Sequence, residues 1–263
     1  MALIHEEQKY TIPRGRAYFD PEDANGALTG EIELGNCPSV TVTISTEKAE
    51  HFSSMTGLRE KDASVVVQID RTGALVCDNM KPDNFALWMS GTRTARTQTA
   101  VAVTGELRTV QPGRFYQLGA TTANPLGVRN VTAVTVKNEA GTTTYDAGDD
   151  YNVDLETGRV QIVEGGAIAA SSVVQFGYTP VAASFDRVTT GSTSEIRGAL
   201  RIVSDNATGG DRDYYMPRVT LTPDGDLPII AEGTDFVQLS FGLEVLKPAN
   251  GEAIYCDGRP VAA

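Results

Sequence analysis

The sequence predicts a mainly β fold of antiparallel sheets with one flanking α-helix. Two patterns carry this expectation. Several segments alternate apolar and polar residues with period 2, which gives each strand one core side and one wet side, as antiparallel sheets have. Gly- and Asp-rich turns separate these segments, and only one stretch, 81–91, carries well-marked helix ends.

Segment 39–45, SVTVTIS, sets Val40, Val42 and Ile44 against Thr41, Thr43 and Ser45. The polar stretch 46–63 is expected as a loop, with a weaker helical signal over 46–55, TEKAEHFSSM. Segment 63–70, ASVVVQID, puts Val65, Val67 and Ile69 on one face and Ser64, Val66, Gln68 and Asp70 on the other. In KPDNFALWMSG, Pro82 suits the first helical position, Asp83 the first turn and Gly91 the C-terminal cap. Phe85, Trp88 and Met89 stand at i, i+3 and i+4, the spacing of a core-facing side. In 195–205, EIRGALRIVSD, Leu200 and Ile202 oppose Arg201 and Val203. In 237–246, VQLSFGLEVL, Val237, Leu239, Phe241, Leu243 and Val245 point inward, opposite Gln238, Ser240, Gly242 and Glu244.

Residues 119–184 read as a separate β-domain inserted between 1–118 and 185–263. Strands are expected at 131–137, 142–146, 158–164 and 171–178, with Gly- and Asp-rich turns between them. The insert's ends are expected close together, so that 113–119 (GRFYQLG) and 184–190 (SFDRVTT) pair as if it were absent.

Composition excludes several classes. The 263 residues are 41% apolar, which suits a packed core rather than disorder. No run approaches the roughly 18 apolar residues that span a bilayer, and the N-terminus has no apolar signal region, so the chain is expected to stay in the cytosol where it is made. Cys37, Cys77 and Cys256 form neither a CxxC pair nor a disulfide framework. A net charge of −12 opposes adhesion to phosphate backbones. Only 91–120 reverses sign, with Arg93, Arg96, Arg108 and Arg114 available to acidic neighbours.

The stretch DAGDDYNVDLETGRVQIVEGG, Asp146 to Gly166, concentrates carboxylates and raises the question of a cation site. Its spacing fails the EF-hand pattern from both Asp146 and Asp150. DLETGRVQIV reads instead as strand, turn, strand, with Gly158 supplying the positive φ. His5-Glu6 begins like H-E-x-x-H, but Lys9 stands where the second His is needed, and His51 lies in a polar stretch. STEK and SDN match two β-lactamase motifs, but K-T-G is missing. No phosphate loop, dinucleotide fingerprint or nucleophile elbow occurs. The 34 acidic residues single out no glycosidase pair, and aromatics do not interleave with basic residues as in single-strand binders. No catalytic residue, cofactor or metal ligand is therefore predicted.

The order of elements carries a resemblance. A long polar N-terminal arm precedes ELGNCPSVTVTIS, then TEKAEHFSSMTGLREKDA, SVVVQID and MKPDNFALWMSGTR. After the inserted block come GALRIVSDNATGGDRDYYMPRVTLTPDGDLPIIAEGTDFVQLSFGLEVL and a terminal YCDGRP. This resembles the major tail tube protein of long-tailed, non-contractile bacteriophages, with a looser likeness to the flagellum-attaching Chi-like group. The resemblance covers most of 1–118 and 185–263. It implies a two-sheet β-sandwich or partly closed barrel flanked by a helix, and an immunoglobulin-like insert facing outward. It implies homohexameric rings stacked into a tube that conducts DNA from capsid to host. The partners implied are the chain itself, tail terminator and distal tail proteins, the tape measure protein and passing viral DNA, and no membrane. The place implied is the virion tail, assembled in the bacterial cytoplasm.

A channel subunit needs a small, polar or acidic face that does not trap phosphates. Thr41, Thr43, Ser45, Gln68, Asp70, Ser240 and Glu244 are the candidate lumen-facing residues, and Arg201 departs from the pattern. By the same resemblance, arm 1–30 and loop 46–63 reach the adjacent ring, mobile before assembly. The loop's candidate contacts are Glu47, Lys48, Glu50, His51, Arg59, Glu60 and Lys61. A carbohydrate- or receptor-binding module, or a decoration protein of a phage particle, is the second reading. It would show an exposed aromatic or cation site in 119–184.

Overall fold

Alternating segments become strands wherever a neighbour satisfies their backbone donors and acceptors. The structure is a computed structural model and describes residues 9–55, 57–191 and 195–259. Its elements begin with β1 (Gly15–Pro21), β2 (Ile32–Gly35), β3 (Ser39–Ser53), β4 (Glu60–Cys77), α1 (Pro82–Trp88) and β5 (Thr92–Gln98). Then come β6 (Val103–Val110), β7 (Phe115–Gln117), β8 (Val131–Asn138), β9 (Tyr151–Asp154), β10 (Arg159–Ile162) and β11 (Ser172–Pro180). The last are β12 (Ala183–Thr189), β13 (Ile196–Ser204), β14 (Arg212–Asp224), β15 (Leu239–Val245) and β16 (Tyr255–Gly258). The fold is mainly β and its sheets are antiparallel.

The chain divides into two compact units, Met1–Thr94 with Val188–Ala263, and Ala95–Arg187. The second starts well before the expected 119. The cause is β6, whose residues Val103 to Val110 pair with β11, and β7, which pairs with β10. The expected pairing of 113–119 with 184–190 does not form. β12 pairs with β5 instead, and the Thr92 and Thr189 hydroxyls lie 3.2 Å apart.

In the first unit, hydrogen bonding joins the strands along one path, β2-β1-β13-β14-β15-β4-β3, with β16 on β14. Phe19, Leu75, Leu200, Leu239 and Phe241 are fully buried at its centre. The inward series Leu239, Phe241, Leu243 and Val245 is as the alternation predicts. The N-terminal arm differs from expectation. From Gly15 it is a sheet strand on β13, and Ala17 and Phe19 enter the core, so the arm is built in rather than mobile there. His5 lies outside the described residues.

Helix α1 starts with Pro82 at its first turn, as predicted, and has no side-chain cap. Its innermost side is Asn84, Ala86 and Leu87, while Phe85, Trp88 and Met89 are half-buried; Trp88 still packs against the main core. Asn84 turns inward because its amide donates to the Leu34 and Asn79 carbonyls at 2.7 and 2.8 Å. The left-handed cap is Ser90, at φ 46°, rather than Gly91. Gly91 is required for another reason: a Cβ there would lie 1.7 Å from the Thr189 carbonyl oxygen.

The second unit holds two three-stranded sheets, β7-β10-β9 and β6-β11-β8. Side chains from both, among them Val110, Val136, Val160, Ile162, Val174 and Phe176, share one core. The expected strand at 142–146 reduces to a single bridge between Thr144 and Lys137.

Candidate functional site

The weak helix signal at 46–55 and the loop at 46–63 both give way to one long hairpin. β3 and β4 pair from Ser39↔Val76 to Ser53↔Glu60, so strand pairing overrides local propensity. Bulges at Glu47/Lys48 and His51/Phe52 re-aim its outer half.

Residues directly opposite in an antiparallel pair share a face. Thr41 faces Ala74, Thr43 faces Thr72, Ser45 faces Asp70 and Glu47 faces Gln68. β15 extends the rows, with Glu244 opposite Thr72 and Ser240 opposite Val76. The register therefore puts all seven lumen candidates on one face. Most are exposed, Ser240 is half-buried, and Gln68 donates to Asp70 at 2.8 Å. Arg201 stands elsewhere, on β13; its Nε donates to Glu31 at 2.6 Å and its guanidinium lies 4.5 Å from the Tyr215 ring centre. Glu31 thus offsets the cation that broke the acidic pattern.

The opposite face pairs Val40 with Leu75, Val42 with Gly73, Ile44 with Arg71 and Thr46 with Ile69, so it is largely apolar with Arg71 and Thr46 as exceptions, and only its base is covered. β15 reaches Thr72 at Glu244, and beyond that row β3 and β4 stand as two strands alone. Leu75 is fully buried, whereas Ile44 and Ile69 on the same face are 62% and 50% exposed, and Val66 and Val67 at the first bulge are 48% and 61% exposed. The expectation of a core face over 65–69 is therefore not met within the monomer. Among the described residues no strand pairs with the outer rim of β3, which is fifteen residues long.

The seven candidates for inter-ring contact all fall in the distal half of this hairpin. Lys61 pairs with Glu50, and His51 Nδ1 lies 2.5 Å from Asp62 Oδ1. The Arg59 guanidinium sits 4.9 Å from the Phe52 ring centre, and Glu60 faces Ser53. Glu47 and Lys48 flank the first bulge.

A family model described as "Protein of unknown function UCP028589" matches residues 10–251. The chain belongs to that family. A search of curated proteins returns no match.

In this family member the acidic stretch closes a turn. Asp150 accepts the backbone N–H groups of Ala167 and Asp146 at 2.7 and 2.9 Å, and these donors hold its carboxyl below the usual range. Asp154 accepts from the Thr157 hydroxyl at 2.6 Å and from the backbone of Thr157 and Glu156, with the same effect. The β9–β10 hairpin follows with Gly158 at φ 65°, as the turn requires. Among the described residues no cluster of three or more His, Cys, Asp or Glu is placed to hold a metal ion. Nor is any described helix long and apolar enough to cross a membrane.

Two features of this unit escaped the sequence reading. Glu106 accepts from the Tyr178 hydroxyl at 2.7 Å, the Gly119 N–H at 2.9 Å and Arg108 Nε at 3.1 Å. Burial, then Glu106, pushes the Tyr178 hydroxyl up. In the first unit Arg93 bonds Asp83 at 3.0 Å, so two of the four arginines of 91–120 meet acids within the chain, as expected. The second feature is the outer face of β7-β10-β9. Its register aligns Phe115, Gln161 and Asn152 in one row and Gln117, Arg159 and Asp154 in the next. Period 2 in GRFYQ and GRVQI is the signal that could have found it.

Proposed function

We propose that this family member is a non-enzymatic structural protein: the tail tube subunit of a long-tailed, non-contractile bacteriophage. The observation that carries the reading is the β3–β4 hairpin. One of its faces carries hydroxyls and carboxylates, the other is largely apolar and uncovered beyond the Thr72 row, and among the described residues no strand pairs with its outer rim. A long unpaired edge beside exposed apolar side chains is an aggregation hazard in a monomer and an assembly element in a polymer. Covering the exposed parts of Ile44, Val66, Val67 and Ile69 would contribute about 1 kcal/mol each. Closure of a ring lets the same two surfaces meet repeatedly between identical copies.

In this reading, hexameric rings stack, and the face bearing Thr41, Thr43, Ser45, Gln68, Asp70, Ser240 and Glu244 lines a channel that repels DNA. The distal hairpin reaches the next ring. The first unit is a sandwich or partly closed barrel, and the second is an immunoglobulin-like domain pointing outward. Tail terminator, distal tail and tape measure proteins are the other partners, and the virion tail is the place of work.

Negative-stain imaging of the purified chain tests this. Rings or tubes are expected for the natural chain, and dispersed particles for Ile44→Asp with Val67→Asp. Natural chain that stays monomeric at high concentration, or the double variant assembling equally well, overturns the proposal.

A further inference from the structure

The outer face of β7-β10-β9 is a rigid, chemically mixed surface. Tyr151, Val160 and Ile162 bury the opposite side in the unit's core, which fixes the strands. Phe115 is 56% exposed, and the Arg159 guanidinium lies 5.2 Å from its ring centre. Two adjoining clefts, about 540 and 320 Å³, share Arg159 and Thr157 in their walls. Both volumes fall in the roughly 300–1,000 Å³ range of ligand sites. One cleft adds Leu126, Arg129 and Glu156, and the other Phe115, Asn152 and Gln161.

We infer that this face binds a neutral saccharide, with consecutive sugar units in the two clefts on either side of Arg159. A pyranose has an apolar C–H face and a rim of hydroxyls, each both donor and acceptor. Phe115 and Leu126 offer the matching apolar surfaces. The amides of Asn152 and Gln161 each bring a donor and an acceptor, and among the described residues neither makes a protein hydrogen bond. Arg159 stays stacked on Phe115 with guanidinium N–H groups left for hydroxyls. Charge decides against an anionic ligand, because Asp154 and Glu156 flank the two arginines. Nucleic acid is disfavoured for the same reason: residues 95–187 carry nine acidic and seven basic side chains. The site is independent of the tube reading. Rings that retain no sugar overturn the site alone, and monomers that retain sugar overturn the tube alone.

The test is a glycan array of neutral, uronate and sulfated oligosaccharides probed with the full chain. Retention of neutral glycans is expected, about tenfold weaker for Phe115→Ala and for Gln161→Ala, with Phe115→Tyr retaining binding. Both substituted side chains project from the sheet's outer face, so unchanged melting temperatures will show that the fold is kept. The proposal is overturned if no neutral glycan is retained, if only sulfated glycans bind and release in high salt, or if both weakening variants bind like the natural chain.

Discussion

The carboxylate of Asp150 accepts the backbone N–H of Ala167 at 2.7 Å, across seventeen residues, and so closes the acidic stretch on itself. With the Asp146 N–H on its other oxygen, Asp150 has backbone donors where a cation would otherwise sit.

Asp150→Ala should therefore lower the melting temperature by a few degrees, whereas EDTA should leave the natural chain's melting unchanged. The pH dependence has a definite sign. The folded carboxyl is held below its ordinary value of 3.8, so its contribution is present above that value and is lost as pH falls through the folded one. Differential scanning of Asp150→Asn beside the natural chain should show a gap at pH 7 that shrinks below pH 4. A gap of equal size at both, or a drop with EDTA, would contradict the turn-closing role.

Leu75 and Ile69 lie on one strand and one face, yet Leu75 is fully buried and Ile69 is 50% exposed. Leu75→Ala should cost about 2–5 kcal/mol in urea unfolding of the monomer, and Ile69→Ala under about 1 kcal/mol. If both cost alike, a partner already covers the hairpin in the state being unfolded.

The thiols divide by burial. Cys256 is exposed, while Cys37 and Cys77 are pushed up to about 12 and about 11, chiefly by burial. At pH 8 a disulfide reagent such as DTNB should titrate one thiol of three in the native chain and all three after denaturation. Raised thiol values hold their stabilising effect below the ordinary 9.0 and lose it as pH climbs toward the folded values. Thermal stability should accordingly decline above pH 9, and less so in Cys37→Ala. Three fast-reacting thiols in the folded chain would refute the shielding of half-buried Cys37 and buried Cys77.

Much of the local structure was legible. Pro82 and Asp83 marked the start of α1, Gly158 marked the β9–β10 turn, and alternation located β15 with its inward Leu239, Phe241, Leu243 and Val245. The misreadings share a cause. TEKAEHFSSM has weak helical propensity, but β4 supplies a second row of backbone partners, and a paired edge outweighs fractions of a kcal/mol per residue. The unit boundary was placed too late because β6 is held by β11, more than sixty residues away, which no local pattern announces.

Sequence alone determined that 39–45 and 63–70 each have a mostly polar and a mostly apolar face, because side chains in a strand alternate whatever the strand pairs with. Tertiary structure alone decided how far each face is covered. β15 ends beside Thr72, so the same face passes from core at Leu75 to open surface at Ile69, with Gly73 and Arg71 between them. Burial depends on the length of the neighbouring strand, and that length is written in another part of the chain.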